Sequence, residues 1–258
     1  MATHKNSQGF TLMELIGVMA ILAILAGALA PNIFRAIDDA VAASELQNLE
    51  RLAEDLEHYI LTNKAIPSSS VNNWSTELAS VSEYPAEDIR LNQNGHQRAI
   101  FFDPRFFSTS DTNFGGFTQT NGISSGPNSA RLMIISDTKG GLPSLSASTS
   151  VFDAIWNQDT GAVITETSSL KILRLNIGDL FQRIILTNPN TSQTSYALES
   201  GGLNPVPAAS GSTDGIAEFW VIEGTELRLF SPPFPSGSLA TVELVDSHFS
   251  YRFIDLSP

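Results

Sequence analysis

Cysteine is absent from the 258-residue chain. No disulfide can staple it, so its order must come from an apolar core, from neighbours or from a metal. Basic residues are scarce: 14 Lys and Arg stand against 27 Asp and Glu, for a net charge of −13 and a sequence pI near 4.6. That balance disfavours nucleic acid and anionic membrane surfaces as partners, because both are bound through Lys and Arg. Histidine is sparse too. His4, His58, His96 and His248 form no close pair and no H-x-x-x-H, so a zinc site is not expected.

What the chain does have is one long oily stretch, Gly9 to Pro31, reading GFTLMELIGVMAILAILAGALAP. From Leu15 to Ala30 it carries no polar side chain. About twenty helical residues at ~1.5 Å each are enough to cross a ~30 Å hydrocarbon layer. Glu14 is the exception within it. A carboxylate there costs about 2.5–3.5 kcal/mol on insertion scales, so it needs a partner or a task. Lys5 is the firm positive charge ahead of the stretch, which places this end in the cytoplasm and the C-terminal domain outside.

These residues resemble the prepilin signal of type IV pilins and type II secretion pseudopilins. In that family a short polar leader ends in Gly, a peptidase cuts after it, and the new N-terminal residue is methylated. Glu is fifth in the mature chain and Pro often twenty-second. Here Gly9 ends the leader MATHKNSQG, Phe10 opens the mature chain, Glu14 is fifth and Pro31 twenty-second. The resemblance implies cleavage between Gly9 and Phe10, N-methylation of Phe10, and assembly through Phe10, Glu14 and Pro31. It covers about the first sixty residues. An ordinary secretory signal with Ala28-Leu29-Ala30 as its cleavage site is the rival reading. Glu14 interrupts its apolar region, and Pro31 after the cut suits a protease's extended binding mode poorly.

Beyond Pro31 the apolar residues turn periodic. Ile33, Phe34, Ile37, Val41, Leu46, Leu49, Leu52, Ala53, Leu56, Tyr59 and Ile60 recur mostly at steps of three and four, the signature of an amphipathic helix. Asp38, Asp39, Glu45, Glu50, Glu54, Asp55 and Glu57 lie between them, and Arg51 can reach Asp55 one turn on. The helix is expected to run from Phe10 to about Asn63, before the break at Ile66-Pro67. Its first half has nothing to bury it except lipid or copies of itself, and its second half backs onto a sheet. Pro31 removes a backbone donor and is a place for a kink.

The remaining residues read as a β-rich domain. Trp74, Leu78, Val81 and Tyr84 suit a short helix, Arg98 to Phe102 and Arg131 to Ser136 suit strands, and Val151 to Asn157 fits a helical turn or a strand. Three hairpins are expected: Lys171–Ile177 with Leu180–Thr187, Glu218–Glu223 with Thr225–Phe230 about Gly224, and Ala240–Val245 with Ser247–Ile254. The fold class is therefore α+β, one long helix packed on a mostly antiparallel sheet, which is also the pilin fold that the resemblance implies. The division expected is residues 1–9 leader, 10–31 transmembrane and assembly helix, 32–64 amphipathic continuation and 65–258 globular domain. That domain is larger than in the commonest major pilins, which points to enlarged loops or a second β-subdomain. The disulfide with which many pilins pin a C-terminal loop is missing.

Catalytic motifs fail in context. Gly122-Ile123-Ser124-Ser125-Gly126 spells G-x-S-x-G, but Pro127 follows and the surroundings are loop, whereas a nucleophile elbow needs a strand before and a helix after. Asp111-Thr112-Asn113-Phe114-Gly115-Gly116 opens like a calcium loop, yet its twelfth position is Gly122 rather than Glu. No cofactor is expected. Calcium in a β-loop stays open, because some pseudopilins hold it there. Trp74, Trp156 and Trp220 read most simply as core aromatics.

The function implied is structural, not enzymatic. The chain would be a subunit of a type IV pilus-like or type II secretion pseudopilus filament, held in the inner membrane as a single pass before polymerising. Its implied partners are sibling pilin subunits, a prepilin peptidase and methylase, an inner-membrane assembly platform and membrane lipid. The alternative is a minor tip pilin whose domain binds a surface, glycan or cargo.

Overall fold

The computed structural model describes residues 12–67, 73–104, 119–120, 130–145, 148–199, 202–231 and 239–254. Helix α1 runs unbroken from Leu12 to Asn63, about 78 Å at ~1.5 Å per residue. Its buried residues are Ala42, Glu45, Leu49, Leu52, Ala53, Leu56 and Ile60. Steps of three and four put these on one face, and that face lies on a sheet. Ahead of Ala42 the large apolar side chains are exposed: Met13 by 85%, Ile24 by 73% and Phe34 by 65%. Lys64 ends the helix at positive φ.

Two short helices follow, α2 (Asn73–Leu78) and α3 (Ala86–Arg90). Trp74 and Leu78 of α2 are buried, while Val81 and Tyr84 fall past its end and pack partly buried. The first sheet has strand order β1 (Ala99–Phe102), β3 (Arg131–Asp137) and β4 (Leu170–Asn176), all antiparallel. Here β2 is the two-residue strand Gln119–Thr120. Side chains alternate across a strand, so this sheet has two apolar faces. Ile100, Phe102, Leu132 and Ile134 pack towards α1 and Trp74. Phe101, Met133, Ile135 and Ile172 pack on helix α4 (Thr149–Asn157) through Phe152 and Ile155. The Ser148 hydroxyl caps α4 by accepting from the Val151 N–H, and Gln158 closes it in the left-handed conformation. The stretch that fitted either a helical turn or a strand is thus a helix.

Two four-stranded sheets form a second unit. One has order β10 (Leu239–Val245), β9 (Thr225–Phe230), β6 (Ser195–Glu199) and β7 (Gly202–Val206). The other has order β11 (Phe249–Arg252), β5 (Phe181–Asn188), β8 (Gly215–Ile222) and β2. Ile184, Leu186, Phe219 and Val221 of one sheet meet Ala197, Leu227, Leu229 and Val245 of the other in a shared core. All pairings are antiparallel except β11 with β5. The α+β class therefore holds, and the two four-stranded sheets add a β-unit beyond the helix-backed sheet.

The three expected hairpins do not form, although each strand does. The partners β4 and β5, β8 and β9, and β10 and β11 fall in different sheets. In a two-residue hairpin about Glu223-Gly224, Ile222 would pair with Thr225, which puts Phe219 and Leu227 on opposite faces of one sheet. Instead they face each other across the core, which lets both strands bury an apolar stripe. Gly224, at φ +76°, makes the turn between sheets, and the Thr225 hydroxyl donates to Ile222 O at 2.6 Å to close it. The β6–β7 hairpin was not anticipated. Pro205 lies in β7, where an edge strand tolerates it.

Candidate functional site

The site that the sequence singles out is the N-terminal half of α1. Gly9 and Phe10 lie outside the described residues. Glu14 is in the first turn of the described helix, and Pro31 is inside it with no break in the helical run. The seventeen residue steps from one to the other span about 26 Å, close to the thickness of a hydrocarbon layer. Glu14 and Pro31 therefore mark opposite ends of one oily rod. The missing N–H of Pro31 leaves the Gly27 carbonyl without its usual i+4 donor. The helix is long and apolar enough to cross a membrane, with a mean hydropathy of 2.4 in its apolar stretch and none of that stretch buried.

The other half of α1 is gripped by polar contacts that the sequence reading missed. Glu45 has a side chain with no exposure, and Arg98 retains 4%. The Arg98 guanidinium donates through Nε to Glu45 Oε1 at 2.7 Å and through Nη2 to Oε2 at 2.8 Å. Its Nη1 donates to the carbonyls of Asp88, Ile89 and Leu91 at the end of α3. Such a two-pronged contact uses the planar fork of arginine. Two loops reach α1 nearer the apolar half: Lys139 pairs with Asp38 at 2.5 Å, and Gln93 donates to Val41 O at 3.2 Å. At the far end Lys64 Nζ donates to Glu223 O. Arg51 does not pair with Asp55 as expected. It lies 3.9 Å over the Tyr84 ring and donates to Asn48, while Asp55 accepts from Ser82. Sequence reasoning grouped Glu45 with the acids between the apolar positions, whereas it lies on the buried face of the helix.

A second arginine, Arg131, pairs with Asp103 at 2.8 Å and Asp153 at 2.9 Å and lies over the rings of Phe152 and Trp156. It ties β3 to α4. A cavity of about 680 Å³ lies beside β1, lined by His96, Phe101 and Phe102 on one side and Leu142 and Leu145 on the other. Ser144 lines it as well. His58 is exposed on α1, and His248 accepts from the Arg183 N–H at 2.8 Å beside Trp220. Among the described residues no group of three His, Cys, Asp or Glu could hold a metal. The Asp111–Gly116 and Gly122–Gly126 stretches lie outside those residues.

A helix bare at one end, packed at the other on a mostly antiparallel sheet, defines the α+β pilin-type architecture. Residues 4–30 match the model of the prokaryotic N-terminal methylation motif, the signature of type IV pilins and pseudopilins. The match takes in Gly9, Phe10 and Glu14 and stops before Pro31. No curated protein matches the chain, and no solved structure does.

Proposed function

We propose that this chain is a structural subunit of a pilus-like or pseudopilus filament, cut between Gly9 and Phe10, methylated at Phe10 and polymerised through α1. Residues 1–9 are the leader, 10–31 the transmembrane and assembly segment, 32–64 the amphipathic continuation and 65–258 the globular domain. The observation that carries this reading is the bare apolar half of α1 with one carboxylate near its tip, under a methylation motif. Such a surface is stable in lipid or among copies of itself. Before assembly the chain crosses the inner membrane once, with its N-terminus cytoplasmic and its domain outside. Its partners are a prepilin peptidase, an assembly platform and sibling subunits, and it performs no catalysis.

In this reading Glu14 of one copy pairs with the Phe10 ammonium of a neighbour. The apolar helices supply adhesion, and the ion pair offsets the burial of each charge and sets the axial offset between copies. Mass spectrometry of the mature chain is expected to find an N-methylated Phe10. Glu14→Ala is expected to leave cleavage intact and abolish filaments. A mature chain starting elsewhere, or normal filaments from the variant, would refute the reading.

A minor subunit at the filament tip is the second reading, favoured by the β-unit that stands beside the helix-backed sheet. Such a bulky domain is hard to repeat at every position along a shaft. Quantitative immunoblotting separates the two: a few copies per filament support the tip, and abundance equal to the shaft subunit removes it.

A further inference from the structure

The bare half of α1 runs directly into the domain's first contacts, and the depth of that junction follows from helix length. A carboxylate is costly inside hydrocarbon, so Glu14 marks one edge of the layer. A ~30 Å layer takes about twenty helical residues, which puts the other edge at Phe34. An average tilt of about 20° moves it by about one residue. The continuous run of exposed apolar side chains agrees: it ends with Ile33, Phe34 and Ile37, just before Asp38 and Asp39. Headgroups fill about 5–8 Å beyond the hydrocarbon. Asp38 stands about 6 Å past Phe34, and Val41 about 10 Å.

The domain reaches α1 at those same two residues. Lys139 pairs with Asp38 at 2.5 Å, and Gln93 donates to Val41 O at 3.2 Å. The loops that carry these contacts are bound to one another and to a third. Asn92 donates to Asp137 O at 2.8 Å, Asn94 to Thr138 O at 2.7 Å, and the Thr138 N–H to Ser169 O at 3.0 Å. Residues 92–98, 138–145 and 167–169 make up this rim, and none of them is Asp or Glu. Elsewhere acids dominate, 27 against 14 bases in the whole chain. The acids at its margin are engaged: Asp38 by Lys139, Asp137 by the Lys139 N–H, and Glu166 by Arg174. Asp39 lies one helical turn from the exposed Arg35, a spacing at which opposite charges meet. The exposed side chains of Asn94, Lys139 and Ser168 offer amide, ammonium and hydroxyl donors, which suit phosphate oxygens.

We propose that this rim is a lipid-contact surface: before assembly the domain rests on the phospholipid headgroups of the leaflet from which it projects. The proposal depends on the membrane reading above and goes further. That reading requires only that α1 cross the layer, and a domain held clear of the lipid on a length of polar helix would satisfy it equally. Here the apolar run and the domain's first ties to α1 are separated by a single residue step, from Ile37 to Asp38. Negative charge on the rest of the chain opposes a close approach to phosphates, and the acid-free rim is the side that can make one.

The lack of cysteine lets single cysteines carry a fluorophore at chosen depths. Gly141→Cys and Ser168→Cys sample the rim, Ala26→Cys the apolar helix, and Thr62→Cys the far end of α1, about 36 Å beyond Asp38. All four positions are exposed, and a Cβ added at Gly141 meets nothing within 4 Å. The full chain is reconstituted at high dilution in phosphatidylcholine vesicles that carry a nitroxide either on the headgroup or deep in the acyl chain. The labels at Gly141 and Ser168 are expected to be quenched by the headgroup nitroxide several times more than the label at Thr62. Ala26 is expected to respond most to the acyl-chain nitroxide. Rim labels quenched no more than Thr62 would overturn the proposal, and a quenched Ala26 would leave the membrane reading standing. Quenching at Thr62 equal to that at the rim would overturn it as well, because the molecule would then lie along the surface. An unquenched Ala26 would overturn the membrane reading and this proposal with it.

Discussion

Phe152 offers the sharpest test of the layered architecture, because it is the centre of the face of the first sheet turned away from α1. Its side chain is fully buried. Its ring centroid lies 5.3 Å from that of Phe101 and 5.7 Å from that of Trp156, and the Arg131 guanidinium carbon sits 5.3 Å away. Phe152→Ala removes most of that apolar volume and leaves a cavity that α4 can collapse into only in part. Truncations of this kind cost about 3–5 kcal/mol, and the lost ring contacts fall within that figure. For a domain of this size each kcal/mol shifts the melting temperature by about 2–4 °C, so a loss of about 4 kcal/mol lowers it by about 8–16 °C. Thermal melts of the full chain in detergent, followed by circular dichroism, provide the measurement. Phe152→Leu, which keeps more of the volume, is expected to fall between parent and Ala. The near-ultraviolet signal of Trp156 is expected to weaken in the Ala variant, since its stacked partner is gone. If Phe152→Ala moves the melt by less than about 2 °C, a loss under about 1 kcal/mol, the sheet is not covered by α4 and the two-faced layer is wrong.

Gly224→Ala tests the turn between sheets. At φ +76° an added Cβ would lie 2.6 Å from Lys64 Nζ, so the lysine must swing away and release Glu223 O. A destabilisation of about 1–2 kcal/mol is expected from the left-handed backbone, and a neutral result in chemical denaturation would reject that account. Tyr59 tests the electrostatics of α1. Burial first, and the negative charge of Glu77 second, hold its phenol above the usual value of 10.0. The contribution to stability is therefore complete below pH 10 and is lost as the pH rises through the folded-state value. Ultraviolet titration against a Tyr59→Phe chain is expected to place its ionisation above that of an ordinary tyrosine, and Glu77→Gln is expected to bring it down. An unchanged midpoint in the Gln chain would exclude the charge effect.

The elements that sequence reasoning reached were those whose cause is local. The end of α1 near Asn63 follows from a periodic stripe that stops and a proline that follows. The strands β1 and β3 follow from short apolar runs. The pairings did not follow. A glycine between two strands reads as a hairpin whether the second strand turns back beside the first or crosses to the opposite sheet, because the turn residues are the same. Only the need to bury Phe219 and Leu227 against each other decides it, and that is a property of the assembled core. The site divides in the same way. The places of Glu14 and Pro31 on one helix were legible because they follow from spacing along the chain. Arg98 was read only as the start of a strand, since its partner Glu45 is 53 residues away. Glu45 was grouped with the solvent-side acids of the helix, and nothing local named the base that would meet it.

The interleaving of the last two sheets constrains the order in which the molecule can be completed. From β5 onward the chain visits one sheet, leaves for the other through β6 and β7, returns for β8, leaves again for β9 and β10, and comes back with β11 beside β5. A chain emerging N-terminus first has β5 and β8 in hand while the opposite sheet is still half built, and the outermost place next to β5 stays vacant until β11 arrives. Shortening the C-terminus by a dozen residues would thus withdraw a strand whose neighbour was laid down some sixty residues earlier, and would open that edge of the sandwich to solvent.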